Sequence, residues 1–333
     1  MHPPNDPQFV NLITRSRDRG RSWEDPRVAP GYDWFGVETP GIAQIMAGPV
    51  LLDQWRFRWY PLETARRRAD DGDEIFVLDT TKFQWVPALT EDDWRRHPWP
   101  YARADGGAFV HRSTDRGATW EEPIALDITP YQAAFSPRGV IELSNGELLM
   151  TLGSHDHDPS GASIALRSYD GGLSWTPPVE VAREAGKLFS EPGAVECSDG
   201  TVLVFSREEM TGCAHVSESR DGGITWMMPR ALELWGYPQH VIRLADERLL
   251  MVYGRRKEPA GIRGSLSSDH GRTWSEEFVI RDHLRDSFFG MHLGYPSVIE
   301  YAPGALFCVY YAEGDDGITC IQGTAFTIEE VDP

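Results

Sequence analysis

Short apolar runs broken by turn residues dominate this chain. SIALRS (Ser163–Ser168) leads into YDGGLSW, after which TPPVEV extends again. Extended, tight turn, extended is the signature of two strands joined by a hairpin. The turn recurs in one frame: SRDRGRSW (Ser16–Trp23), STDRGATW (Ser113–Trp120), SYDGGLSW (Ser168–Trp175), SRDGGITW (Ser219–Trp226) and SSDHGRTW (Ser267–Trp274). Ser stands two before the aspartate, Gly two after, Ser or Thr four after and Trp five after. The aspartates are Asp18, Asp115, Asp170, Asp221 and Asp269, so after one long gap the period is near 50 residues. A period of that size marks a repeat architecture. Asp folds its carboxylate back onto turn amides and Gly accepts positive φ, so the frame is expected to be a structural turn.

A second hairpin precedes each frame from the third onward: LSNGELLM (Leu143–Met150), CSDGTVLV (Cys197–Val204) and LADERLLM (Leu244–Met251); YAPGALFCV (Tyr301–Val309) follows the last frame. Each unit reads strand A, turn, strand B, loop, strand C, Asp turn, strand D. Four antiparallel strands repeated radially make a β-propeller. Residues 39–127 form one unit with an insertion at 60–108; 135–182, 190–234 and 237–281 are compact; 294–327 lack the Asp turn; 9–29 supply only strands C and D. The expectation is an all-β, six-bladed propeller in one domain, 1–333, with its first blade incomplete at the N-terminal side. A five-bladed ring, with the N-terminal strand completing the last blade, is the alternative. In the insertion, ETARRRAD is expected to form a helical turn or two, and Trp94, Trp99 and Tyr101 are free either to stack on sugar rings or to pack on the propeller.

Composition narrows the partners. A formal charge of −19 excludes nucleic acid as an expected partner. No apolar run approaches membrane-spanning length, and MHPPNDPQFV has no signal-peptide core. At face value the chain is cytoplasmic, or secreted if a longer N-terminus precedes Met1. Cys197, Cys213, Cys308 and Cys320 lack metal-ligand spacing and are expected to be free thiols, although Cys308 and Cys320 could neighbour on adjacent strands. No metal and no cofactor are expected.

Because strands alternate direction, the A–B and Asp turns share one face of the disc. Chemistry belongs on the other, where strand A starts and strand B ends. Nine residues before the hairpin Gly, or the Glu247 that replaces it, stand Pro137, Glu191, Pro238 and Tyr295; seven after stand Gly153, Arg207, Gly254 and Tyr311. Arg263 begins strand C, and His155 and Asp156 lie in a B–C loop of that face. A Glu, a Tyr and two Arg at one mouth fit an anion site with an acid–base partner, since Arg grips carboxylate bidentately. A neighbouring carboxylate that accepts its proton makes a tyrosine a competent nucleophile. A structural Glu191–Arg207 ion pair is the plainer alternative.

These features resemble the sialidase (neuraminidase) superfamily, whose Asp-box (BNR) repeat S-x-D-x-G-x-T/S-W fits all five turns. SEPGAVECSDGTVLVFSR (Ser190–Arg207) resembles the stretch in which a catalytic Glu precedes a triad Arg by 16 residues; AGIRGSLSSDHGRTW (Ala260–Trp274) resembles the blade with the next triad Arg; LGYPSVIEYAPGALFCVYY (Leu293–Tyr311) resembles the blade opened by the nucleophilic Tyr. The resemblance implies a retaining, exo-acting glycoside hydrolase (an exo-alpha-sialidase-like enzyme) on a terminal sialic acid of an acidic glycan or sialoglycoconjugate. Tyr295 would be nucleophile and Glu191 its base, with Arg207 and Arg263 on the sugar carboxylate. The first triad Arg and the acid/base Asp of the family have no counterpart before Asp18. Arg138, Arg56, Arg58 and His155 are candidate substrate-binding substitutes, and Asp156 is a candidate acid/base. A non-catalytic glycan- or protein-binding propeller and an enzyme acting on a uronate are the rival readings.

Overall fold

The computed structural model describes residues 10–31, 36–81, 84–131, 133–155, 161–284 and 293–329. The chain opens with a two-stranded hairpin, β1 (Leu12–Ile13) and β2 (Arg27–Val28), around the first Asp turn. The first blade starts with β3 (Gly36–Gln44) and β4 (Val50–Pro61). Its insertion adds α1 (Leu62–Asp70), β5 (Phe76–Asp79), β6 (Gln84–Pro87) and α2 (Glu91–Arg96). The blade ends with β7 (Tyr101–Ser113) and β8 (Ile124–Ala125). In the second blade, β9 (Ala133–Phe135) and β10 (Val140–Glu142) both pair with β11 (Leu148–His155), followed by β12 (Ala162–Ser168) and β13 (Val179–Ala182). The third is β14 (Phe189–Glu196), β15 (Val202–Glu208), β16 (Cys213–Ser219) and β17 (Arg230–Trp235). The fourth is β18 (His240–Arg243), β19 (Leu249–Arg255), β20 (Gly261–Ser267) and β21 (Phe278–Asp282). The fifth has three strands, β22 (Gly294–Ala302), β23 (Ala305–Glu313) and β24 (Thr319–Thr327).

The propeller therefore has five blades, not six. The cores explain the difference. Separate apolar clusters fill the gaps between blades one and two, two and three, three and four, and four and five. Among the described residues no cluster joins blade five to blade one. The β1–β2 hairpin stands there instead, but its two-residue strands leave Leu12 and Val28 more than half exposed, so it builds no blade core. It does not complete blade five either, since among the described residues no fourth strand pairs with β24.

The Asp turns hold this ring together. In each of blades two to four the frame tryptophan (Trp175, Trp226, Trp274) packs into the cluster shared with the preceding blade. Trp23 of the hairpin does the same against Phe307 of blade five, with ring centroids 6.4 Å apart. Asp170 accepts from the Ser168 hydroxyl at 2.8 Å, from Leu173 N–H at 3.0 Å, and from Ser174 N–H and hydroxyl at 2.9 and 2.6 Å. Its four counterparts are bonded alike, and these bonds hold all five carboxyls down at about 2. A further tie runs between blades: the glutamates near the ends of three A strands accept from the A–B hairpin of the preceding blade (Glu142 from Met46 N–H, Glu196 from Ser144 N–H, Glu300 from Ala245 N–H).

The ETARRRAD segment is helical, as α1. Thr90 and Asp93 form a reciprocal capping box on α2. Trp94 is buried with Ala65, Ile75, Val77 and Ala102, so its ring packs within the insertion and is not offered to a ligand. All four cysteines are free; Cys308 faces Thr324 across the β23–β24 ladder and Cys320 faces Ala312. No helix among the described residues is long and apolar enough to cross a membrane.

Candidate active site

Glu191 and Tyr295 open the inner strands of blades three and five. Each precedes a proline, in SEPG and GYPS. Each sits where the inner-strand register skips, from Ser190 to Gly193 and from Gly294 to Ser297. Both backbones lie in the left-handed region, φ 50° and 47°. Of the seven non-glycine residues with positive φ among the described residues, Arg19, Arg116 and His270 occupy one repeated Asp-turn position and Glu247 occupies the hairpin position of a glycine. Glu191 and Tyr295 have no such turn to explain them. Conformers of this kind cost about 1–3 kcal/mol each and persist where a site requires them.

The strain brings the two side chains together. The Tyr295 hydroxyl donates to Glu191 Oε1, and Arg207 Nη1 donates to Glu191 Oε2 at 3.1 Å. Arg207 reaches on to Glu209 Oε2 at 2.7 Å, and Glu209 accepts from the Ser190 hydroxyl at 2.5 Å. The Arg207 guanidinium lies 4.0 Å from the Tyr237 ring centre, and Arg256 lies 4.9 Å from the same ring. Arg256 also stands 6.0 Å from the Tyr295 ring, donating to Leu293 O at 2.8 Å and to the Tyr311 hydroxyl at 3.3 Å. The mouth thus carries two arginines against Glu191 and Glu209.

Burial, reinforced by Glu191, pushes the Tyr295 phenol well above its ordinary value, while Arg207 and Arg256 pull it down. Tyr295 is therefore neutral at rest, with its proton already directed at Glu191. Burial disfavours the charge on Arg207, but the carboxylates of Glu191 and Glu209 outweigh it and hold the guanidinium above its ordinary value. Burial raises Glu209 against the pull of Arg207.

Arg138 lies between β9 and β10 of blade two and reaches across to blade five, where Nη1 donates to Pro296 O at 2.7 Å. Arg263 lies apart from this group. It is 2% exposed and is consumed within blade four by Arg281 O (3.0 Å), Pro259 O (2.9 Å) and Asp282 Oδ1 (2.7 Å). Arg56 stacks on Phe109 at 4.0 Å and, with Arg58, Arg68 and Tyr60, lines a separate cavity of about 510 Å³ in blade one. His155 ends β11 opposite Ala133, and Asp156 lies outside the described residues. Sequence reasoning missed Arg256, Glu209 and Tyr237. A signal for both Arg256 and Glu209 was present, since Arg256 directly follows the end of β19 as Glu209 directly follows the end of β15. Among the described residues no three His, Cys, Asp or Glu side chains gather as metal ligands.

The model of the BNR repeat-like domain family matches residues 96–308. The chain belongs to that family. Among curated relatives, this BNR repeat-like protein is 23% identical over 291 residues to a sialidase of Bacteroides fragilis, covering 80% of this chain and 48% of that one. It is 22% identical over 210 residues to a sialidase of Clostridium perfringens, covering 52% and 54%. The chain spans about half the length of these relatives. Among solved structures, a protein of unknown function from Dyadobacter fermentans superposes with a TM-score of 0.78 at 24% identity, covering 97% of this chain and 85% of that one. The fold is that of the sialidase/BNR propeller superfamily.

Proposed function

We propose that this BNR repeat-like chain is a retaining, exo-acting glycoside hydrolase for a terminal sialic acid. The observation that carries the reading is the Tyr295–Glu191–Arg207 relay, built on two left-handed residues from different blades. The sugar carries a carboxylate beside its anomeric carbon, which repels a carboxylate nucleophile, so a neutral tyrosine suits it; sialidases are the known exception to the two-carboxylate rule. Tyr295 Oη attacks the anomeric carbon, its proton passes to Glu191, and the bond to the leaving-group oxygen breaks. Water then cleaves the glycosyl–tyrosine, giving its proton to the acid that protonated the leaving group, and Glu191 returns the proton to the phenol oxygen. Arg207 and Arg256, held by Glu209, Leu293 O and Tyr311, take the sugar carboxylate. Asp156, which follows β11, is the candidate to protonate the leaving group.

Release of a fluorophore from an α-sialoside, with Tyr295→Phe as control, tests this reading. Turnover of a uronide instead would keep the mechanism and change the sugar. One observation favours a second reading, a glycan-binding propeller without turnover: a two-stranded hairpin stands where a sixth blade would complete the mouth. Binding of sialosides with no turnover would select it.

A further inference from the structure

The side chain of Arg138 touches both strained segments of the site. It projects from the SPRG break between β9 and β10 and reaches across to blade five, where Nη1 donates to the carbonyl of Pro296, the residue after Tyr295. The β22–β23 register skips Tyr295 and Pro296, so that carbonyl lies in the stretch outside the ladder. On the other side Arg138 lies against Gly193, two residues after Glu191: a Cβ at Gly193 would stand 3.1 Å from Arg138 Cγ. Arg138 has no ion-pair partner among the described residues; burial disfavours its charge and lowers it to about 10, against the pull of the nearby Glu191 carboxylate. Its Nε and Nη2 are sealed from solvent and have no hydrogen-bond partner among the described residues. With Nη1 given to Pro296 O and Nη2 sealed from solvent, the end of the guanidinium is directed at blade five.

We propose that Arg138 is a positioning residue, which ties Pro296 from blade two and so holds Tyr295 left-handed against Glu191. The inference rests on the reading of Tyr295 and Glu191 as the reacting pair, and it replaces substrate binding as the role of Arg138. A 1 Å displacement of a reacting group costs on the order of 100-fold in rate.

Crystal structures and sialoside kinetics of Arg138→Met, Arg138→Lys and Gly193→Ala test it. In Arg138→Met, Tyr295 is expected to return to negative φ and leave Glu191, with kcat down about 100-fold and KM within about threefold. Arg138→Lys, which keeps a donor for Pro296 O, is expected to recover at least about tenfold of that loss. A purely structural role would lower stability without this kcat-against-KM split or the rescue. Tyr295 still at positive φ against Glu191 in Arg138→Met, or a raised KM with unchanged kcat, overturns the proposal. If Arg138→Met does not fold, Gly193→Ala decides: it displaces Arg138 without removing it, so kcat should fall and KM hold, and an unchanged kcat overturns the proposal. If the wild type turns over no sialoside, the functional reading fails, while the φ of Tyr295 in the variants still decides the tether.

Discussion

Arg207→Met disturbs the site where its electrostatics are most tightly balanced. The substitution removes contacts of 3.1 Å to Glu191 and 2.7 Å to Glu209, whose side chains are 7% and 24% exposed. Removing one partner of a buried pair costs about 3–5 kcal/mol, because the other charge is stranded. Methionine fills much of the volume and keeps contact with Tyr237, and Glu209 retains some solvent, so about 3 kcal/mol is expected. The loss should depend on pH. Burial already raises Glu209 above its ordinary 4.5, and without Arg207 its folded value climbs further while the unfolded value stays. A carboxyl with a raised folded value binds more protons folded than unfolded. Its contribution is intact below about pH 4.5 and is lost as pH rises through the folded value, so stability falls with rising pH. Urea unfolding followed by tryptophan fluorescence should show a smaller deficit at about pH 5 than at about pH 8. An equal deficit at both, or one under about 1 kcal/mol, would refute the reasoning.

Other substitutions separate binding, scaffold and chemistry. Arg256→Met should raise KM for a sialoside by about 10- to 100-fold, as loss of a carboxylate donor, whereas Arg263→Met should leave KM within about twofold and lower the urea midpoint instead. Asp170→Ala, which strips two backbone N–H groups and two hydroxyls of their acceptor, should destabilise by about 1–2 kcal/mol after allowance for its exposure, with kcat unchanged. Because the Asp170 carboxyl is held at about 2, that contribution is present above its ordinary 3.8 and fades as pH falls through about 2; urea midpoints of wild type and variant should converge there.

The repeat made much of this molecule legible. Five Asp turns marked the blades and the face opposite the chemistry, and the hairpin ruler put Glu191, Arg207 and Tyr295 at one mouth. Blade count failed where pattern carries no length: the frame around Asp18 matches the others, but its strands are two residues each and bury no core. Arg263 stands at the right end of the right strand, yet its guanidinium is drawn into Asp282 and neighbouring carbonyls, and Arg256 from the preceding loop reaches Tyr237 and Tyr295. The strained openings left a trace that spacing alone did not interpret. Pro40, Pro192 and Pro296 lie eight residues before Gly48, Gly200 and Gly304, in the three inner strands whose register skips there; Pro137 and Pro238 lie nine before Gly146 and Glu247. Glu209 and Tyr237 are polar and aromatic rim residues like many others, and it is their contacts, with Arg207 above all, that distinguish them.

The nucleophile itself gives the most direct test. Wild type and Tyr295→Phe would be incubated with a fluorogenic α-sialoside, and wild type separately with a fluorinated sialosyl donor, followed by peptide mass spectrometry. The expected result is turnover by wild type, loss of at least about 100-fold in Tyr295→Phe, and a sialyl adduct on the peptide containing Tyr295. Wild-type turnover that survives in Tyr295→Phe, or an adduct on another residue, would contradict the account.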